Sequence, residues 1–375
     1  MLKRREFLAA GMGLAAGAML RGARGASRPY PPYADMLGID GAAGTDLVYL
    51  KKDDPGIAGE LAAARACGLT AAILTVGPQG KFWLDDAAFA RTKDNIAKWR
   101  ATIDAHPDVL MLIETGADLD RAHRERKFGQ IFTFQGTEPL GEDIGRIPMF
   151  RKMGVRVIQL THNRRNIVGD GAMEAGNAGL SRYGHEVVER LNAEKIVVDL
   201  AHGSQRTTRE GILASKAPPL ISHTGCRALS DLPRCTSDEE LRLLADRGGV
   251  AGMIFWPYLR KDTQPTAIDL IRHIEHAIDV CGADHVGVGS DTPVRPVDRT
   301  PQFEKENREN IRDMVEQGVF ERGRPEDLYL FVPDLNRADR YEVLAGMLAK
   351  RGHPEARIAK ILGGNFARVL REVWG

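Results

Sequence analysis

The chain has 375 residues, 43% of them hydrophobic and 27% charged, with 52 basic against 51 acidic side chains. That composition belongs to a folded protein with at least one large core and excludes a disordered or fibrous chain. A formal net charge of +1 with both signs interspersed offers no field to a phosphate backbone, which argues against nucleic acid as a partner.

The first element is a leader. Lys3, Arg4 and Arg5 precede an apolar run of small residues from Ala9 to Leu20, followed by Arg21 and Arg24. This is the layout of a bacterial export signal with a twin-arginine core, with cleavage expected near Gly25 or Ala26. The apolar run is about 12 residues, short of the ~20 that span a bilayer, so no permanent membrane span is expected. Residues 1–26 hold five basic side chains and one acidic one, which leaves residues 27–375 mildly acidic. Those residues carry no internal repeat and no low-complexity linker and read as one domain, exported to the periplasm or beyond by the twin-arginine machinery.

Apolar segments then recur, each ending in polar residues: Tyr33 to Ile39, Leu69 to Val76, Gln130 to Glu138, Val155 to His162, Lys195 to His202, Pro219 to His223, Gly249 to Phe255 and His285 to Asp291. They lack period-2 alternation, as strands do when both faces are buried in a parallel sheet. Val109 to Ile113 reads as a ninth, peripheral strand. Helical spacing lies between them, at Gly59 to Ala66, Asp86 to Ala105, His185 to Asn192, Ser237 to Asp246 and Ala267 to Cys281. Eight strand and helix units predict an eightfold βα barrel rather than an open doubly wound sheet. Asp298 to Ala338, rich in charge and proline, reads as an excursion before two closing helices, Arg340 to Lys350 and Pro354 to Val373.

Glu138, His162, His202, His223 and Asp291 each stand at the C-terminal end of a predicted strand, and in a βα barrel those ends share one mouth. Two imidazoles and a carboxylate there suit a catalytic zinc ion with an open position for water. The other histidines read as bystanders. His106 and His353 precede prolines in turns, His123 lies in a basic stretch, His273 and His276 read as surface positions on a helix, and His185 and His285 begin elements away from the mouth. Cys226 and Cys235 are near enough in sequence to pair after export, Cys67 and Cys281 read as core, and no disulfide is assigned.

On Gln135-Gly-Thr-Glu138, Leu160-Thr-His162-Asn163, Gly179-Leu-Ser-Arg-Tyr-Gly184, Val198-Asp-Leu-Ala-His202, Ile221-Ser-His-Thr224 and Gly287-Val-Gly-Ser-Asp291, the chain resembles the membrane or renal dipeptidase family of zinc metallopeptidases, in its bacterial branch. The resemblance implies an amidohydrolase-like barrel that cleaves dipeptides with a metal-activated water. It implies Glu138 as a bridging metal ligand and His202 and His223 as further ligands. Asp291 would orient the water and return its proton, His162 would polarise the scissile carbonyl, and Arg227 would hold the substrate carboxylate. Family members carry a His-x-Asp pair at the end of the first strand, where Leu37 and Ile39 stand in this chain, and Asp291-Thr-Pro-Val departs from the family's Asp-aromatic-Asp-Gly. The expectation is therefore one zinc ion on Glu138, His202 and His223 rather than two. Two other readings stay open: a periplasmic small-ligand binding protein without turnover, or an amidohydrolase acting on another small amide or a lactone. A homodimer is compatible with either.

Overall fold

The structure is a computed structural model that describes residues 30–51, 53–77 and 87–375. The expected leader lies outside the described residues. Eleven strands are formed among them: β1 (Ile39–Asp40), β2 (Ala43–Gly44), β3 (Ala71–Thr75), β4 (Leu110–Leu112), β5 (Phe128–Gln135), β6 (Val155–Gln159), β7 (Val197–Asp199), β8 (Leu220–Thr224), β9 (Val250–Met253), β10 (Val286–Val288) and β11 (Thr292–Pro293). Eight of these, β1, β3 and β5 to β10, pair in parallel in chain order, and β10 returns to β1 to close the barrel. The ninth expected strand, β4, stands outside the ring. It pairs with the start of β5, on the edge that β6 takes further along.

Burial on both faces explains the unbroken apolar runs; every residue of β6, β8 and β9 is buried. One layer of the interior is built from Ile39, Ile73, Ile131, Val157, Val197, Leu220 and Val250, one residue from each of seven strands. The eighth strand contributes Gly287, and Phe366 of the C-terminal helix fills the space; a Cβ at Gly287 would stand 2.5 Å from that ring. The larger part of the core lies between the strands and the surrounding helices.

Helices begin where side chains satisfy their first amide groups. Ser237 and Glu240 form a capping box on helix Asp238–Asp246, and Ser181 and Ser204 cap helices Arg182–Ala193 and Gln205–Ala214. Two expectations are corrected and a third is filled in. Tyr33 to Ile39 is not a strand: Pro31 and Pro32 start a 3-10 helix over Pro31–Asp35, and β1 is only Ile39–Asp40. The closing helix from Pro354 is interrupted at Gly363, which lies so close to the Leu37 carbonyl and the Ile39 amide that a side chain there would clash with backbone. The excursion before the closing helices is partly helical, at Pro301–Glu316 behind the Thr300 cap. No described helix is long and apolar enough to cross a membrane.

Candidate active site

The C-terminal ends of the strands carry the predicted polar residues to one mouth. Among the described residues five non-glycine positions have positive φ, and two of them are His202 (φ 63) and Asp291 (φ 54). The left-handed backbone is costly for such residues and persists where surrounding contacts impose it. At His202 the contact is the long loop after β6: Ala172 donates to the His202 carbonyl at 2.7 Å, and Gly171 bridges to Gly203. At Asp291 the amide donates to the Ala42 carbonyl at 2.7 Å, while its carbonyl accepts the Trp256 indole N–H at 2.8 Å.

His202 and His223 face each other with Nε2 atoms 2.8 Å apart. Their Nδ1 atoms are held from behind, His202 by the Asn163 Oδ1 at 2.7 Å and His223 by the Ser222 Oγ at 2.9 Å. Ser222 in turn donates to Asp199 Oδ2 at 2.6 Å. His162 stacks on His202 with ring centroids 4.2 Å apart, so the three imidazoles form one cluster. Burial pushes the Asp199 carboxyl up, against the Ser222 hydroxyl, the Ser222 and Ala201 amides and the Arg234 charge, which all favour the carboxylate.

Glu138 meets the loop after β6 as well. Its Oε1 accepts from Asn166 Nδ2 at 3.1 Å, and the same amide donates to Thr137 Oγ1 and the Leu160 carbonyl. Burial pushes this carboxyl up, opposed by a backbone hydrogen bond and Asn166.

On the opposite side, Asp40 is fully buried. It accepts from the Ala42 amide at 2.8 Å, the Ser290 amide at 2.9 Å and the Tyr341 hydroxyl at 2.7 Å. Asp199 repeats this pattern, taking the amides of Ala201 at 3.0 Å and Ser222 at 2.9 Å. Each buried aspartate thus fixes its own strand end and the serine just before a site residue, Ser222 before His223 and Ser290 before Asp291.

The structure moves two assignments. Leu37 and Ile39 are not at the mouth: Ile39 is in the interior layer with Phe366, and Leu37 packs at the same end against Gly363. The stretch that faces Asp291 is Gly41 to Gly44, in which Ala42 and Gly44 pair with the loop after β10 through their carbonyls. Neither has a side chain able to bind a metal. Arg227, the expected carboxylate clamp, turns to the exposed Asp231 at 2.9 Å. The buried guanidinium at this side is Arg234, which donates to the His223 carbonyl at 3.4 Å, stands over the Tyr258 ring and leaves its Nε without a partner. Burial pulls its basicity down, opposed by the surrounding Tyr258 and Asp291.

Bystander expectations also change. His273 is buried, not a surface residue: Nδ1 accepts from the Cys226 amide at 2.8 Å and Nε2 donates to the Leu259 carbonyl at 2.9 Å. Cys226 and Cys235 are buried free thiols, the first donating to the His273 carbonyl and the second to the Tyr258 carbonyl. Burial pushes the Cys235 thiol up to about 12.

Among the described residues no group of three or more His, Cys, Asp or Glu side chains is gathered closely enough to hold a metal ion. The donors on the His202 side nevertheless suit one ion. Both Nδ1 atoms are engaged from behind and both Nε2 atoms turn to one spot, the arrangement in which a hydrogen-bond partner behind an imidazole aims its other nitrogen at a metal. The Ala42 side, where Ala42 and Gly44 bring no side-chain donor to stand beside Asp291, does not suit a second.

The model of the membrane dipeptidase family, peptidase family M19, matches residues 48–316. Dipeptidase verJ of Clonostachys rogersoniana is 28% identical over 276 residues, which are 72% of this chain and 62% of that protein. Dipeptidase ataJ of Aspergillus terreus is 26% identical over 295 residues, 72% of this chain and 64% of that one. The chain therefore spans just under two thirds of the length of these curated relatives. Among solved structures, an amidohydrolase from Pseudomonas aeruginosa is 30% identical with a TM-score of 0.77, over 93% of this chain and 100% of that one. A metallopeptidase from Rhodobacter sphaeroides, solved with a phosphinate mimic of L-Ala-D-Ala, has the same fold at 18% identity and a TM-score of 0.71, over 90% of this chain and 99% of that one.

Proposed function

The chain belongs to the membrane dipeptidase family, peptidase family M19, and on that premise we propose that it is an exported dipeptidase that works with one zinc ion held by His202 and His223, with Glu138 as the third donor. When bound, the ion supplies Lewis acidity that polarises a carbonyl and acidifies a water. The protein's own groups supply the rest. Asp291 takes the proton of the attacking water and returns it to the leaving amine. His162, beside His202, donates a hydrogen bond to the oxygen on which charge develops, an interaction stronger in the transition state than in the ground state. Arg234, buried with an unpartnered Nε, meets the free carboxylate of the substrate, and Arg227 lies outside that contact. A fixed cation at that depth favours short substrates, because a longer chain places an amide where the carboxylate belongs.

The observation that carries this reading is the convergence of His202 and His223 Nε2 with both Nδ1 atoms held. Its test is metal analysis of the purified chain together with a panel of L,L and L,D dipeptides. Near-stoichiometric zinc is expected, with hydrolysis lost on His202→Ala. Hydrolysis that survives both a chelator and His202→Ala refutes the metal mechanism. The ligand-free stretch at Ala42 and Gly44 favours one alternative, a binding protein without turnover, which predicts thermal stabilisation by dipeptides with no product. Export through the twin-arginine route is tested by replacing Arg4 and Arg5 with lysine, which should retain the protein in the cytoplasm.

A further inference from the structure

We infer that Asp199, acting through Ser222, is a positioning residue that places the proton of His223 on Nδ1 and so keeps its Nε2 lone pair turned toward His202. The inference rests on the one-ion reading above for its purpose, and on hydrogen-bond directions for its content. Ser222 has one hydroxyl proton. At 2.6 Å from Asp199 Oδ2 that proton goes to the carboxylate, the stronger, charge-assisted acceptor. Ser222 Oγ is then an acceptor toward His223, so the proton in the 2.9 Å contact belongs to Nδ1. An imidazole with Nδ1–H presents a lone pair at Nε2.

Asn163 does the same for His202 by a different group. Its Oδ1 at 2.7 Å can only accept, so Nδ1 of His202 carries the proton and Nε2 the lone pair. With both Nδ1 atoms protonated, the 2.8 Å Nε2 contact needs a cation between the two lone pairs, a shared proton in the metal-free protein or a metal ion in its place, so the two supports preorganise a cation site from opposite walls. Asp199 is itself anchored, since it also takes the amides of Ala201 and Ser222, which fixes the carboxylate relative to β8. A neutral hydroxyl between carboxylate and ring differs from a carboxylate bound directly to the imidazole, because it transmits orientation while keeping the charge one residue away.

The test uses the full exported chain and two readouts. Zinc affinity is measured by competition with a chromogenic chelator, and ring-nitrogen NMR of the metal-free protein reports which nitrogen of His223 is protonated. Ser222→Ala is expected to weaken zinc binding about 10- to 100-fold and to abolish the fixed Nδ1–H signal, with the cooperative thermal transition retained. Ser222→Thr, which keeps the hydroxyl, should restore both, and Asp199→Asn should fall between. Unchanged affinity and an unchanged Nδ1–H signal in Ser222→Ala overturn the inference. If the parent chain binds no zinc, the one-ion reading fails, yet the NMR comparison still decides whether Asp199 and Ser222 set the tautomer.

Discussion

Acidification should destabilise the protein through His273, a residue given no part in the proposed chemistry. The neutral ring spends both nitrogens in one tautomer, Nδ1 on the Cys226 amide and Nε2–H on the Leu259 carbonyl. A second proton would set Nδ1–H against the Cys226 N–H and bury a charge in a residue 1% exposed. Burial accordingly lowers the ring's pKa from 6.5 to about 4. The unfolded chain binds the proton more readily than the folded one, so the contribution is fully present above about pH 6.5 and is lost as the pH falls toward about 4. Linkage with these two values gives a loss of about 2 kcal/mol between pH 7 and pH 5. Other groups titrate in the same range, so the assay is urea unfolding of the parent chain and of His273→Gln, which offers a donor and an acceptor without titrating. The parent's advantage over the variant should shrink by about 2 kcal/mol across that interval. A parent-to-variant difference that stays constant from pH 7 to pH 5 would refute a buried neutral ring.

Arg234→Met should lower kcat/KM on dipeptides by about 100-fold, the scale of about 3 kcal/mol for a lost charged pair, whereas Arg227→Ala should cost less than about threefold; steady-state kinetics on one dipeptide separates them. Tyr341→Phe removes the 2.7 Å hydroxyl contact to Asp40 in a fully buried site and should cost about 1.5–3 kcal/mol in urea unfolding. Gly252→Ala drives a methyl into the Ser222 carbonyl, so soluble expression should fall steeply while a conservative surface change such as Lys350→Arg leaves it intact. Thiol titration of the denatured, unreduced protein should find Cys67, Cys226, Cys235 and Cys281 all free; two missing thiols would show a disulfide and refute that.

Strand order was legible because burial on both faces leaves continuous apolar runs, and the mouth was legible because a polar residue follows each run. The first strand was not. It holds two paired residues, too few for any periodicity, and the preceding prolines divert the chain into a 3-10 turn. Once β1 begins at Ile39, the residues at the mouth are Ala42 and Gly44, so reading the strand six residues early also misplaced the ligand-free positions. His273 did leave a signal: with Leu270, Ile274 and Ala277 it completes the buried stripe at helical spacing. Arg234 left none, since no apolar run or helical spacing surrounds it and its burial comes from tertiary contacts. Asn163 and Ser222 adjoin His162 and His223, but which groups they bond is set by β6, β7 and β8 coming side by side, a contact no local pattern encodes.

Asp40 braces the Asp291 side of the mouth with the same amide contacts that Asp199 uses beneath His223. The wall formed by Ala42 and Gly44 is therefore held by the same kind of amide contacts as the wall that carries His223. Where Ala42 and Gly44 stand, the backbone frame is intact and only the side chains are short, so a designer wanting a second ion there would need to write new residues without rebuilding the backbone that carries them.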